Sequence, residues 1–174
     1  NREATIVPPP VDTVFFHPAD VPLRHHFLIV SALVPYKRLD LAIAACQRVG
    51  AQLRIVGDGP DRARLESQAG SNVEFLGRLG DDAVRDEYRQ ALAIILPGEE
   101  DFGIVPVEAQ ACGRPVVALG RGGALDTVDD GENGVLFPEP DAGSLADALD
   151  RVGRLSFDST SISRSAQRFS RERH

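Results

Sequence analysis

Short apolar runs alternate with segments of helical periodicity, and this alternation restricts the fold more than any other feature of the sequence. Residues 27–34 form a continuous apolar run, which is typical of a parallel strand buried on both faces. Residues 38–49 then place apolar side chains on one helical stripe. Further strands are predicted at 53–56, 73–77, 92–98, 114–120 and 134–137, and further helices at 61–69, 81–91, 105–112, 124–130 and 141–153. Strict alternation with short connections predicts an α/β fold, with one six-stranded parallel sheet covered by helices on both faces.

The same pattern divides the chain into three segments. Residues 1–22 are rich in proline, so we expect an extended linker without a core element, and no signal-peptide pattern is visible. Residues 23–153 carry the alternation and are predicted to form one domain. Residues 154–174 are Ser/Thr-rich and then basic, which predicts a polar C-terminal tail or helix. The chain of 174 residues has no Met and begins at Asn1, so we interpret it as a domain taken from a longer protein.

Charge and cysteine content exclude several classes of protein. The net charge of −7 disfavours nucleic acid as a partner, because an acidic surface repels the phosphate backbone. Cys46 and Cys112 lie far apart without a CxxC spacing, which argues against a zinc site or a disulfide framework and suits a reducing compartment. No apolar run approaches the ~20 residues that span a bilayer. We therefore expect a cytoplasmic location.

Ligands of parallel sheets bind outside the carboxyl ends of the strands, where the strand order reverses. We therefore expect the chemistry in the loops that follow strands. These loops are residues 34–38, 57–60, 77–80, 97–104 and 120–124, and each of them holds unusual residues.

The loop after the fourth strand is the most informative of these. Glu100 precedes a predicted helix whose first turn contains Pro106, where a missing N–H costs nothing. The free N–H groups of Gly103, Ile104 and Val105 then point into the ligand crevice, and such a helix terminus binds phosphate well. Glu108 lies one turn further along and could accept hydrogen bonds from the vicinal hydroxyls of a ribose. The alternative is that Glu100 and Glu108 are solvated acids near a helix start, which the helix dipole favours by itself.

Two cations, Lys37 and Arg38, lie where the helix after the first strand begins. Cations are disfavoured at a helix N-terminus unless an anion is nearby, and a diphosphate would supply that anion. Lysine suits phosphate binding as a compact point charge. The alternative is solvated surface charge, with Asp40 as a local partner of Arg38.

Glycines mark two other loops. Residues 57–60 read GDGP, which is half of a dinucleotide fingerprint, but Arg62 stands where the third glycine would be. NAD binding is therefore disfavoured. The adjacent glycines Gly122 and Gly123 follow the fifth strand and indicate either close approach to a ligand or a simple turn.

Several ordered motifs together resemble one family. The chain resembles the C-terminal, donor-binding half of retaining GT-B-fold glycosyltransferases, in the group called glycosyl transferases group 1 or family four. The resemblance covers nearly the whole chain and implies a Rossmann-like three-layer sandwich. It rests on IVPPPVD, SALVPYKRLDLAIAA, IVGDGP, NVEFLGRL, EEDFGIVPVEAQACGRPVVA, GGALDTV and DGENGVLF.

The resemblance implies a role for each matching residue. Glu100 corresponds to a glutamate that contacts donor-sugar hydroxyls near the reacting centre, and Glu108 to one that binds the nucleotide ribose. Lys37 corresponds to a lysine that binds the diphosphate. The remaining donor-binding positions form the base slot and the cradle for the sugar and diphosphate: Gly77, Arg78, Leu79, Phe102, Gly103, Ile104 and Val105.

Two positions depart from the family pattern. Ala32 stands where the family commonly has a phosphate-binding arginine, and Arg38 would compensate for its loss. Asp126 stands where the glycine-containing loop usually carries Glu. The loss of the arginine also supports an alternative function, a non-catalytic nucleotide-binding or interaction module with a decayed site.

The resemblance further implies an activity. Such an enzyme transfers a hexose with retention from a nucleotide sugar to a glycan or lipid-linked acceptor. GDP-mannose is the favoured donor and UDP-glucose the next, as in mannosyltransferases of bacterial surface-polysaccharide biosynthesis. No metal or other cofactor is expected. The acceptor site belongs to an N-terminal domain, so we expect this domain alone to be inactive, and the full protein to contact the inner face of a membrane.

Overall fold

A computed structural model describes residues 9–173 and contains one sheet of six parallel strands in the order β3-β2-β1-β4-β5-β6. The strands are β1 His26–Val30, β2 Gln52–Val56, β3 Val73–Gly77, β4 Ile94–Leu96, β5 Val116–Leu119 and β6 Gly134–Phe137. The predicted α/β fold is therefore confirmed, with β1 and β4 side by side at the point where the strand order reverses.

Helices cover both faces of this sheet. They are α1 Leu39–Val49, α2 Arg62–Gln68, α3 Asp81–Gln90, α4 Ile104–Ala111, α5 Ala124–Thr127, α6 Ala142–Arg154 and α7 Ser159–Ala166. On one face, α1, α2 and α6 enclose a core that contains Phe27 and Ile29 of β1. On the other face, α3, α4 and α7 enclose a second core that contains Leu28. Successive β1 residues therefore enter opposite cores, which explains its unbroken apolar run. No helix within residues 9–173 is long and apolar enough to cross a membrane.

The first strand ends earlier than its apolar run predicts. The chain leaves the sheet after Val30, and the N–H of Leu33 donates to the carbonyl of Asp58 over 3.0 Å. A Cβ on Gly57 would contact the backbone of Ser31, and one on Gly59 would contact that of Leu33. The GDGP turn is therefore needed because two loops pack backbone to backbone at the carboxyl edge.

The N-terminal segment contributes to the core, contrary to expectation. Residues 1–8 lie outside the described part of the chain, but Val11 and Phe16 are 3% and 8% exposed and belong to the second core. The N–H of Val11 donates to the carbonyl of Phe169 over 2.9 Å. Residues 9–22 contain no helix or strand, as their prolines predict, yet the side chains of Val11 and Phe16 are buried.

The end of the chain forms a helix with an apolar face. Helix α7 begins after Asp158, whose side chain accepts from the N–H of Ser161 over 2.9 Å. Ile162 and Phe169 are buried, and the Ser163 hydroxyl donates to the carbonyl of Ala111 at the end of α4 over 3.0 Å. Residues 159–169 therefore pack against α4.

Phe16→Ala tests whether the N-terminal segment is part of the core. The substitution should lower the free energy of unfolding by about 3 kcal/mol, because it leaves a cavity beside Tyr88. Val14→Ala is the matched control, since Val14 is 76% exposed and should change stability by less than about 0.5 kcal/mol. Urea unfolding of both variants gives the two values, and equal effects would contradict the packing described.

Candidate functional site

The loops that follow β1 and β4 meet at the carboxyl edge, on either side of the reversal in strand order. Residues 31–38 follow β1 and residues 97–103 follow β4. A Cβ on Gly98 would lie 2.7 Å from the carbonyl oxygen of Tyr36 and 2.9 Å from that of Lys37. The two loops are therefore in direct contact, at the position where parallel sheets bind ligands.

Lys37 and Glu100 form an ion pair across this contact. Lys37 Nζ lies 2.7 Å from Glu100 Oε1, and their side chains are only 19% and 24% exposed. A 3-10 helical turn, Pro35–Lys37, presents the lysine and also places its ammonium over the ring of Tyr36. The sequence predicted the same two residues for separate contacts with phosphate and sugar, and the structure brings them into one pair.

The Glu100 carboxylate also lies against the start of α4. A Cβ on Gly103 would be 2.8 Å from Glu100 Oε2. Within residues 9–173, the backbone N–H groups of Gly103, Ile104 and Val105 donate to no acceptor. The carboxylate thus lies beside both positive features of the site, the Lys37 ammonium and the N-terminal end of a helix dipole.

The glycine pair after β5, Gly122 and Gly123, packs against the loop that contains Glu100. The N–H of Gly123 donates to the carbonyl of Glu100 over 2.7 Å. A Cβ on Gly122 would contact the Glu100 carbonyl, and one on Gly123 would contact the backbone of Asp101. Of the two interpretations of this pair, the structure supports a turn, one that packs against the site loop.

Glu108 lies on α4, half-buried, and lines a cleft of about 320 Å³ together with Asp81 and Ile104. The hydroxyl of Tyr88 donates to Glu108 Oε2 over 2.9 Å. Burial raises the pKa of the Glu108 carboxyl to about 6, against a hydrogen bond from Tyr88 that lowers it. Tyr88 was not predicted, although one tyrosine within a helix of charged residues is a signal for a buried hydroxyl with a partner.

The predicted base slot is an open groove of about 420 Å³ beside the site. Gly77 ends β3 with a φ of 68°, and its carbonyl accepts from the N–H of Gly57 over 2.8 Å. Arg78 and Leu79 line the groove together with Ala32 and Val105. Arg78 is exposed and forms no ion pair with any acid in residues 9–173.

Arg38 and Phe102, both predicted to bind the donor, have side-chain partners within the chain. Arg38 donates from Nε and Nη2 to the Asp40 carboxylate, each over 3.2 Å, so the local pairing considered from the sequence is present. Arg38 is also the one non-glycine residue among 9–173 with positive φ, at 55°. Phe102 packs its ring 5.8 Å from that of Phe169, which leaves only its backbone to face the crevice. Diphosphate binding by Arg38 remains a prediction that requires this pair to open.

Within residues 9–173, no group of three or more His, Cys, Asp or Glu side chains is arranged to hold a metal ion. The expectation that the site needs no cofactor remains a prediction. The free thiols of Cys46 and Cys112 are both buried, and burial raises the pKa of each to about 12.

Comparison with known proteins places the chain among glycosyltransferases. The family model "Glycosyl transferases group 1" matches residues 22–169. D-inositol 3-phosphate glycosyltransferase of Mycobacterium tuberculosis is 32% identical over 172 residues, covering 86% of this chain and 36% of that protein. The chain thus spans about a third of the length of this curated relative.

Solved structures show the same fold. Sucrose-phosphate synthase from Thermosynechococcus elongatus superposes with a TM-score of 0.83 at 26% identity, over 96% of this chain and 49% of that one. Anabaena HepE in complex with UDP-glucose superposes with a TM-score of 0.75 at 23% identity, over 92% and 52%. The family model covers most of the chain and the fold agrees with it, so this protein belongs to the glycosyl transferases group 1 family, as a C-terminal GT-B domain.

Proposed function

We propose that the chain is the donor-binding half of a retaining glycosyltransferase and that its crevice binds a nucleotide sugar. The observation that carries this proposal is the Lys37–Glu100 pair at 2.7 Å, beside the free N–H groups that begin α4. A diphosphate needs positive charge and N–H donors, and a sugar needs a carboxylate that accepts from hydroxyls. Both requirements are met at the edge of the sheet where α/β proteins bind ligands.

In this proposal the diphosphate contacts the Lys37 ammonium and the N–H groups of Gly103, Ile104 and Val105. As the bond between sugar and diphosphate breaks, negative charge develops on the leaving phosphate, and these groups stabilise it. When the diphosphate binds Lys37, Glu100 turns from the lysine toward the hydroxyls of the sugar. Glu108 accepts from the ribose hydroxyls, and the backbone of Gly77, Arg78 and Leu79 borders the base.

The donor and acceptor are narrower proposals. We propose a hexose transferred from GDP-mannose or a UDP-sugar to a glycan or lipid-linked acceptor, as in mannosyltransferases of bacterial polysaccharide biosynthesis. The UDP-glucose held by the Anabaena protein makes uridine nucleotides a natural first test. The acceptor would bind to an N-terminal domain, so the domain alone would be inactive. The full protein would act in the cytoplasm, at the inner membrane face.

One pair of observations favours a second candidate, a nucleotide-binding module without transferase activity. Ala32 lines the groove where family members commonly have a phosphate-binding arginine. Arg38, the cation that would compensate, is held by both oxygens of Asp40. Such a module would bind a nucleotide weakly and would not discriminate among the attached sugars.

Isothermal titration of the 174-residue chain with UDP-glucose, GDP-mannose and NAD tests the proposed ligand class. We expect one of the two nucleotide sugars to bind more tightly than NAD, because Arg62 replaces the third glycine of the dinucleotide fingerprint. Similar affinity for the nucleotide sugar and its parent diphosphate would favour the non-catalytic module. Tighter binding of NAD would contradict both proposals.

Lys37→Ala should weaken UDP binding by about tenfold or more and leave uridine binding nearly unchanged. A hydrogen bond to a charged group contributes roughly 1.5–3 kcal/mol, which is the reason for the size of the loss. Arg48→Ala is the matched control, because it removes the same charge from an exposed position at the far end of α1. An equal loss for UDP and uridine would mean that Lys37 does not contact phosphate.

Glu100→Gln should tighten the binding of UDP by about fivefold, since the substitution frees Lys37 and removes a negative charge from beside the diphosphate. Glu99→Gln is the control, because the neighbouring Glu99 is exposed and its loss changes the net charge by the same amount. Titration of both variants with UDP separates local from overall charge. If the two variants bind UDP equally, the Glu100 carboxylate does not compete for the diphosphate position.

A further inference from the structure

Tyr88 is buried deeply and has one polar contact. Its side chain is 0% exposed, and its ring packs at 68° to the ring of Phe16 with the centroids 6.0 Å apart. Within residues 9–173, the Tyr88 hydroxyl contacts one hydrogen-bonding partner, Glu108 Oε2 at 2.9 Å. A phenylalanine would fill the same core space, so packing alone does not account for the hydroxyl.

Titratable groups from several elements surround the Glu108 carboxyl. Asp81 and Tyr88 face it from α3, and Cys112 follows it one turn further along its own helix. Asp12 from the N-terminal segment and Arg171 from the end of the chain line the same cleft. The carboxyl is therefore half-buried beside another acid, a setting that favours its protonated form.

We propose that Tyr88 is a positioning residue for nucleotide binding: its hydroxyl fixes Glu108 Oε2 and so directs Oε1 toward the ribose hydroxyls. This inference rests on the proposed role of Glu108 as the ribose contact. An ionised carboxylate can accept hydrogen bonds at both oxygens, one from Tyr88 and the other from the sugar. A protonated carboxyl would present a donor in place of one of these acceptors.

The hydrogen bond from Tyr88 also affects the protonation of Glu108. Burial raises the pKa of this carboxyl to about 6, Tyr88 lowers it, and Asp81 raises it. Loss of the Tyr88 hydroxyl removes a contact that favours the ionised form, so the pKa should rise further. The protonated fraction near neutral pH then increases, and fewer molecules present the acceptor that the ribose requires.

The first experiment needs no ligand. Carbon-13 NMR of glutamate-labelled chain follows the Glu108 carboxyl through a pH titration, and Glu108→Gln identifies its resonance. In Tyr88→Phe the midpoint should rise by about one pH unit, the size expected for a lost bond to a charged group. An unchanged midpoint would overturn the proposal.

A second variant guards against loss of the fold. Incorporation of 3-fluorotyrosine makes the phenol a stronger donor without removing it, and a Tyr36→Phe background restricts the label to Tyr88, because the chain has 2 tyrosines. The Glu108 midpoint should then fall, opposite to its change in Tyr88→Phe. A midpoint that moves upward or not at all would contradict the proposed hydrogen bond.

The second experiment measures UDP binding between about pH 5.5 and pH 8, a range that includes the Glu108 pKa of about 6. Tyr88→Phe should weaken binding about threefold near pH 6.5 and less at pH 8, where Glu108 is mostly ionised in either variant. In a Glu108→Ala background, which removes the acceptor of the Tyr88 hydroxyl, Tyr88→Phe should cause no further loss, and this background also reports the titration of the phosphate itself. A further loss there would show that Tyr88 acts through packing, which overturns the proposal.

The two experiments separate the failure of this inference from that of the proposed function. A Glu108 midpoint that shifts in a chain without affinity for UDP would reject the ribose contact and the positioning role that depends on it, while Tyr88 would still control Glu108. An unshifted midpoint in a chain that binds UDP through Lys37 and Glu108 would reject only the positioning role of Tyr88. The proposed function would then stand.

Discussion

The position of β1 next to β4 determines where charged side chains can come together in this molecule. A parallel sheet buried on both faces leaves only its edges for polar chemistry, because helices occupy everything above and below the strands. At the reversal between β1 and β4, the two following loops leave toward opposite faces and open a crevice between them. Lys37 comes from one loop and Glu100 from the other, so their ion pair depends on this strand order.

Much of the fold could be predicted because the strands are buried on both sides and their apolar runs are unambiguous. The errors lie at the ends of elements. Residues 31–34 look like strand, yet they leave the sheet to bond with the GDGP turn, a long-range contact that no local pattern encodes. Val11 and Phe16 illustrate the same limit, since the apolar residues of a proline-rich segment do not show which surface will bury them.

The candidate site shows a similar division. Lys37, Glu100 and Glu108 could be predicted to share one edge because each follows a strand that ends there. Their mutual contacts could not be predicted, since they depend on side-chain geometry across loops. The ion pair between Lys37 and Glu100 joins two loops that are distant in sequence, whereas the pairing of Arg38 with Asp40, two residues away, could be considered from the sequence. Tyr88 lies on a helix of mostly charged residues, and its contact with Glu108 joins two helices, so the partner became visible only in three dimensions.

The pairing of Lys37 with Glu100 bears on how the proposed diphosphate would bind. A lysine at a partly buried site attracts anions, and here the Glu100 carboxylate pairs with it and lies beside the N-terminal end of α4. The first N–H groups of α4 still donate to no acceptor within residues 9–173. A diphosphate carries more negative charge than one carboxylate and can reach the N–H groups of α4 as well, so it should compete effectively for Lys37. Displacement would release Glu100 toward the sugar only when the anion carries one nearby. In the proposed function, the contact between Lys37 and Glu100 would thus link recognition of the diphosphate to placement of the carboxylate beside the sugar.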